Sequence, residues 1–78
     1  MRVYFDLANG SKTIPDPIGL DVPDLHRAYF DAEHAILEII ECDVAMKAHV
    51  AGWRLNAVDS AGTVIFSIDF DSMIQWLV

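Results

Sequence analysis

One long helical segment constrains the fold of this 78-residue chain more than any other feature. Asp24 is the predicted N-cap, because its carboxylate can accept hydrogen bonds from the free amides of the first turn. A helix from Asp24 to about Met46 would be ~35 Å long, whereas strands of five or six residues span only ~17–20 Å. We therefore expect part of the helix to extend beyond the sheet, to bend, or to pack on another chain. Its main apolar face, spaced at steps of three and four, comprises Leu25, Ala28, Tyr29, Ala32, Ile36, Ile39 and Ile40.

The residues before the helix predict a strand and an interrupted return. Apolar and polar side chains alternate over residues 2–7, which is typical of a half-buried strand. Asn9-Gly10 then forms a tight turn, because both residues tolerate positive φ angles. Pro15 and Pro17 cannot donate to a strand ladder. The return is therefore an edge strand or an irregular loop.

The residues after the helix predict a second strand pair. Residues 53–58 form its first strand and residues 59–62 its turn, with Gly62 where a left-handed conformation is needed. Residues 63–70 are the strongest predicted strand and are expected at the centre of the sheet. Alternation places Val64, Phe66, Ile68 and Phe70 on one face and Ile65 on the other.

These elements predict an α+β fold of ββαββ type in a single domain over residues 1–78. One antiparallel sheet carries the long helix across one face. Asp71-Ser72 can cap a short C-terminal helix.

Composition limits the classes of partner. The net charge is −7, and the five basic residues are scattered, so nucleic acid and anionic membrane are disfavoured. No apolar run approaches the ~20 residues of a membrane span, and Asp6 interrupts the N-terminus before any signal-peptide apolar region. With only one cysteine, Cys42, the chain has no internal disulfide. We expect a cytoplasmic protein.

Surplus apolar surface predicts association with protein, as a homo-oligomer or an accessory subunit. Hydrophobic residues make up 54% of a chain that is too small to bury all of them. Phe30, Leu37 and Val44 lie seven residues apart on the helix flank and form a second packing surface. The full set of candidate interface residues is Phe30, Leu37, Val44, Ile65, Trp76 and Leu77.

No group of residues predicts chemistry, so we expect no catalytic residue, no metal and no cofactor. His34 and Glu38 share a helix face, but nothing in the sequence supplies further metal ligands. The acidic residues near the proline-rich loop lack the spacing of a calcium loop. Cys42 is expected to be a buried apolar residue. The main alternative function is a small-molecule or metal-binding domain. A small enzyme is a less favoured alternative.

Five motifs together cover nearly the whole chain: Val3-Tyr4-Phe5-Asp6-Leu7, Asp16-Pro17-x-Gly19-x-Asp21, the helix residues Leu25, Ala28, Ala32 and Leu37, Gly52-Trp53-Arg54-Leu55-x-x-Val58-Asp59-x-x-Gly62, and Val64-x-Phe66-x-Ile68-x-Phe70. With these motifs the chain resembles an uncharacterised family of small bacterial proteins, common in rhizobia and related alphaproteobacteria and known only as a domain of unknown function. That resemblance implies the fold and a bacterial source, but no activity, and the apolar tail after Ser72 departs from the family pattern.

Overall fold

A computed structural model describes residues 1–42 and 52–77, with the side chains of Cys42 and residues 74–77 outside that description. The fold is α+β, as the sequence predicts, with one antiparallel sheet, a long helix and a short C-terminal helix. The strands are β1 (Arg2–Asn9), β2 (Lys12–Ile14), β3 (Leu20–Asp21), β4 (Arg54–Val58) and β5 (Val64–Asp69), and the helices are α1 (Leu25–Cys42) and α2 (Phe70–Leu77).

The sheet has the strand order β2-β1-β4-β5, and β3 pairs with the beginning of β1. In its register, Leu7 lies opposite Leu55 and Leu55 lies opposite Ile68, so these three side chains share one face. The predicted hairpins are confirmed, and both belong to one sheet. The expectation that residues 63–70 form a central strand is wrong. β1 and β4 lie at the centre because β1 is long enough to pair on both sides, whereas β5 pairs with β4 alone within the described residues.

Two short strands share one edge of β1. β2 pairs with residues 7–9 and β3 with residues 2–3, and the loop between them contains both prolines predicted to interrupt pairing. At the gap, the Asp16 carboxylate accepts a hydrogen bond of 3.1 Å from the Phe5 amide. The side chain thus satisfies a β1 donor that has no strand partner.

The core lies between the sheet and the central stripe of α1. Ala28, Ala32, Ile36 and Ile40 are buried, four residues apart, which confirms the middle of the predicted apolar face. Leu25 and Tyr29 on that face remain about half exposed. The N-cap is also confirmed, since Asp24 Oδ1 accepts a 2.8 Å hydrogen bond from the Arg27 amide. The predicted continuation of this helix to Met46 lies outside the described residues. No helix within residues 1–42 and 52–77 is long and apolar enough to cross a membrane.

Candidate interface

The outer edge of β5 is the longest unpaired strand edge in the described sheet. Phe70, the residue after β5, donates to the Trp53 carbonyl at 3.0 Å, on the β4 side. Backbone groups alternate in direction along an antiparallel strand. The Phe66 and Ile68 amides therefore face β4, and those of Ser67 and Asp69 face the open edge. A row of free backbone groups of this kind is a template for pairing with another strand.

A β-bulge reverses the predicted alternation at the start of β5. Ala57 pairs with Phe66 but Val58 pairs with Val64, so Ile65 is the extra residue. Ile65 consequently packs against the buried cluster of Val3, Val22 and Ala28, while Val64 is 52% exposed. The predicted placement of Val64 on the face of Phe66, with Ile65 on the opposite face, is therefore wrong. The place of Ile65 in an interface stays a prediction.

The flank of α1 beside β5 carries exposed aromatic side chains. The Tyr29 ring lies 5.2 Å from the Phe66 ring, centroid to centroid, and Tyr29 remains 45% exposed. The next residue, Phe30, is 49% exposed, and its ring lies 4.4 Å from the His34 ring. The Arg27 guanidinium lies 5.5 Å from the centre of the Phe30 ring. Leu37 is half-buried further along the helix. We call Tyr29, Phe30 and Leu37 the α1 flank.

The remaining candidates lie outside what the structure describes. Val44 falls within residues 43–51, and the side chains of Trp76 and Leu77 lie beyond the described part of α2. Their interface roles stay predictions.

Four aspartates of the described residues each have a structural partner. Asp21 pairs with Arg2 at 3.1 Å and Asp69 pairs with Arg54 at 3.6 Å. Asp24 caps α1, and Asp71 Oδ2 accepts a hydrogen bond of 3.4 Å from the Gly52 amide. Within residues 1–42 and 52–77, no group of three or more His, Cys, Asp or Glu residues could hold a metal ion. Structural contacts in a cap, a loop and two ion pairs therefore explain the positions of these carboxylates.

An apolar pocket opens at the end of the sheet where β1 and β2 meet α1. Its volume is about 60 Å³, and its lining is Leu7, Ile14, Ile39, Trp53 and Phe70. Dry apolar cavities that bind a molecule as small as benzene measure about 150 Å³. This pocket therefore has room for one small side chain rather than for a metabolite.

Comparison with protein families now identifies the chain. The model of a domain of unknown function, DUF6894, matches residues 2–71. The chain belongs to the DUF6894 family. Comparisons with curated proteins and with solved structures found no match. The DUF6894 match spans all five strands and α1, so the β5 edge and the α1 flank both lie inside the family domain. It ends at Asp71, which leaves the apolar tail after Ser72 outside the match. The alphaproteobacterial source stays a prediction.

Tyr29 and Asp16 are the residues whose roles sequence reasoning missed. The sequence places Tyr29 on the buried face of α1, yet the structure puts it at the rim beside β5. An aromatic residue directly before Phe30 is a signal that the apolar arc of this helix is broader than one sheet covers. For Asp16, the pair Asp16-Pro17 followed by Gly19 is typical of a turn in which the carboxylate bonds to nearby amides.

Proposed function

We propose that this DUF6894 domain is a protein–protein association module, acting as a homo-oligomer or an accessory subunit through the α1 flank and the β5 edge. The observation that carries the proposal is the exposure of large apolar side chains next to an unpaired strand edge. Single exposed apolar residues are ordinary on a protein surface. Aromatic side chains are instead enriched in the buried centres of protein interfaces, and here they lie beside an unpaired strand edge.

The energetics favour a modest but specific association. Full burial of a large apolar side chain contributes roughly 1.5–3 kcal/mol relative to exposure. Tyr29 and Phe30 already have about half of their surface covered, so each has about half of that contribution still to gain. Association also costs translational and side-chain freedom. A two-fold contact uses every residue twice, which doubles the gain without doubling that cost.

Other classes of function have less support in the described residues. The pocket of about 60 Å³ is too small for a metabolite. The charge of −7 disfavours nucleic acid and anionic membrane as partners. Several aspartates of the described residues already accept hydrogen bonds from backbone amides or pair with arginines.

The test is the solution mass measured by light scattering over a dilution series, for wild type and for Phe30→Glu and Leu37→Glu. We expect a wild-type mass that falls on dilution, and a monomer in both variants, because a carboxylate on the α1 flank would be desolvated in the contact. Ile18→Glu is the matched control, since Ile18 is 72% exposed on the loop between β2 and β3. A chain ending at Ser72 tests Trp76 and Leu77 separately.

Each outcome is informative. Dissociation in the flank variants but not in Ile18→Glu supports the proposal. A wild-type monomer at every concentration overturns self-association. Equal dissociation in the flank variants and in Ile18→Glu overturns the assignment of the surface.

A further inference from the structure

The two open edges of the sheet differ in their capacity to pair. On one side, β2 has three residues and β3 has two, and the loop between them contains Pro15 and Pro17. Short, interrupted edges with proline are a known means of preventing edge pairing. On the other side, β5 has six residues, with neither proline nor lysine, and its one charged residue is Asp69. The β5 edge is thus the one able to accept a strand.

Phe30 and Leu37 of the α1 flank belong to a longer stripe of side chains that is complementary to itself. At about 100° per residue, His26, Phe30, Glu33, His34, Leu37 and Glu41 fall within an arc of about 100°. If two such helices pack antiparallel about a two-fold axis between residues 33 and 34, each residue meets a fixed partner. Phe30 then lies opposite Leu37 of the second copy, and His26 lies opposite Glu41. The stripe therefore matches apolar with apolar and imidazole with carboxylate.

The same axis also fits β5. One buried cluster joins Ala28, near the start of α1, to Ile65 and Phe66 at the start of β5. The other joins Ile36 and Ile40, further along α1, to Ile68 and Phe70. α1 and β5 therefore run in the same direction. The Tyr29–Phe66 contact fixes their relative height. From Tyr29 to the middle of the stripe is about 7 Å at 1.5 Å per residue. From Phe66 to Ile68 is also about 7 Å at 3.3 Å per residue. One two-fold axis can therefore pass through both the middle of the helix stripe and Ile68 of β5.

This deepens the proposed function and rests on it: we propose that the partner is a second copy of this chain, joined by antiparallel pairing of β5 with β5 and of the α1 flanks about one two-fold axis near Ile68. The paired segment is residues 67–69 of each copy, because α2 begins at Phe70. Ser67 then lies opposite Asp69 of the second copy, and their outward backbone groups exchange hydrogen bonds. The two Asp69 carboxylates stay apart. α1 contacts β4, and its Tyr29 ring lies 5.2 Å from the Phe66 ring of β5, so the two α1 helices lie on the same side of the joined sheet.

The first test removes one outward donor. Ser67→Pro deletes an amide that faces the open edge and leaves the bonds to β4 in place. Ser67→Ala is its matched control: it loses only the side-chain bond of 2.6 Å to Asn56 Oδ1 and keeps the amide. We expect a monomer for Ser67→Pro and a wild-type dissociation constant for Ser67→Ala, measured by sedimentation equilibrium with circular dichroism to confirm folding.

The second test is a charge exchange on the helix, which keeps the inference testable if Ser67→Pro does not fold. His26→Glu should raise the dissociation constant by about tenfold, because two carboxylate pairs then face each other across the axis. Adding Glu41→Lys should restore it. Within one helix these positions are about 22 Å apart, beyond the screening length of about 8 Å at physiological salt. Rescue therefore reports a contact between copies.

The outcomes separate this inference from the proposed function. A monomeric Ser67→Pro together with rescue in the double variant supports it. A wild-type dimer that Ser67→Pro leaves intact, or a double variant as weak as His26→Glu, overturns this geometry while association through another surface stands. A wild type that is monomeric at all concentrations overturns both.

Discussion

The Asp16 side chain supplies the hydrogen-bond acceptor at the gap between β2 and β3, along the edge of β1. Its carboxylate accepts hydrogen bonds from the Phe5, Ile18 and Gly19 amides at 3.0–3.1 Å. Burial alone would raise the pKa of Asp16, but the bonds from Gly19, Ile18 and Phe5 and the charge of Arg2 outweigh it and lower the pKa below the ordinary 3.8. The ionised form of Asp16 is therefore more stable in the folded chain than in the unfolded chain.

Asp16→Asn should lower the free energy of unfolding by about 1–2 kcal/mol at neutral pH, because the amide has one acceptor atom and leaves a backbone donor unpaired. Since the folded pKa of Asp16 is depressed, its contribution is complete above the unfolded value near 3.8 and is lost as pH falls through the folded value. Urea unfolding between neutral pH and about pH 2 should show the two proteins converging in acid. Asp21→Asn, in an exposed ion pair, is the control with little expected effect. A gap that is constant with pH would contradict the role of the charge.

Gly19 is required by both its backbone conformation and its surroundings. Its φ is +78°, and an added Cβ would lie 2.7 Å from Tyr4 Cε2 and 3.1 Å from the Val3 carbonyl oxygen. Gly10 has a φ of +52° with nothing within 4 Å of an added Cβ. We expect Gly10→Ala to cost about 1 kcal/mol, from backbone strain alone, and Gly19→Ala to cost about 2–3 kcal/mol. Thermal unfolding of the pair checks this. Equal losses would show that the contact with Tyr4 does not matter.

At the scale of elements, local signals predicted the hairpins and the helix start, and non-local pairing decided the rest. The first hairpin turn and the Asp24 cap depend on residues close in sequence, so the sequence places them to within one residue. The turn lies at Gly10-Ser11 rather than at Asn9-Gly10, because Asn9 pairs with Lys12 at the end of β1. The position of β5 depends on which strands β1 accepts, which no local pattern contains. The run Val64-Ile65-Phe66 suggested a central strand, whereas a bulge and an open edge account for it. For the proposed interface, the sequence suggested Phe30 and Leu37 but not the strand edge beside them.

The N-cap gives the element-scale prediction. Asp24→Ala should lower the free energy of unfolding by about 1 kcal/mol, because the Arg27 amide loses its acceptor at the start of α1. Asp24→Asn keeps an acceptor oxygen and should stay within a few tenths of a kcal/mol of wild type. Urea unfolding of the three proteins at equal concentration measures both differences. If Asn were as costly as Ala, the negative charge at the helix N-terminus would be the source of the stability instead.

At the scale of the whole molecule, the net charge of −7 opposes the association that the apolar surface favours. Two copies repel over distances longer than any single contact, and salt screens that repulsion, with a screening length of about 10 Å at 0.1 M. We therefore expect the dimer dissociation constant to fall several-fold between about 0.02 M and about 0.3 M sodium chloride.

Sedimentation equilibrium across this salt range checks the prediction. Asp21→Asn removes one negative charge from β3, on the edge of the sheet opposite β5. It should reduce the salt dependence slightly without altering the high-salt affinity. Association that weakens with salt would instead mean that ion pairs across the contact outweigh the overall repulsion. His26→Glu would then make the affinity rise with salt, because the carboxylate pairs that it creates across the axis repel each other and salt screens that repulsion.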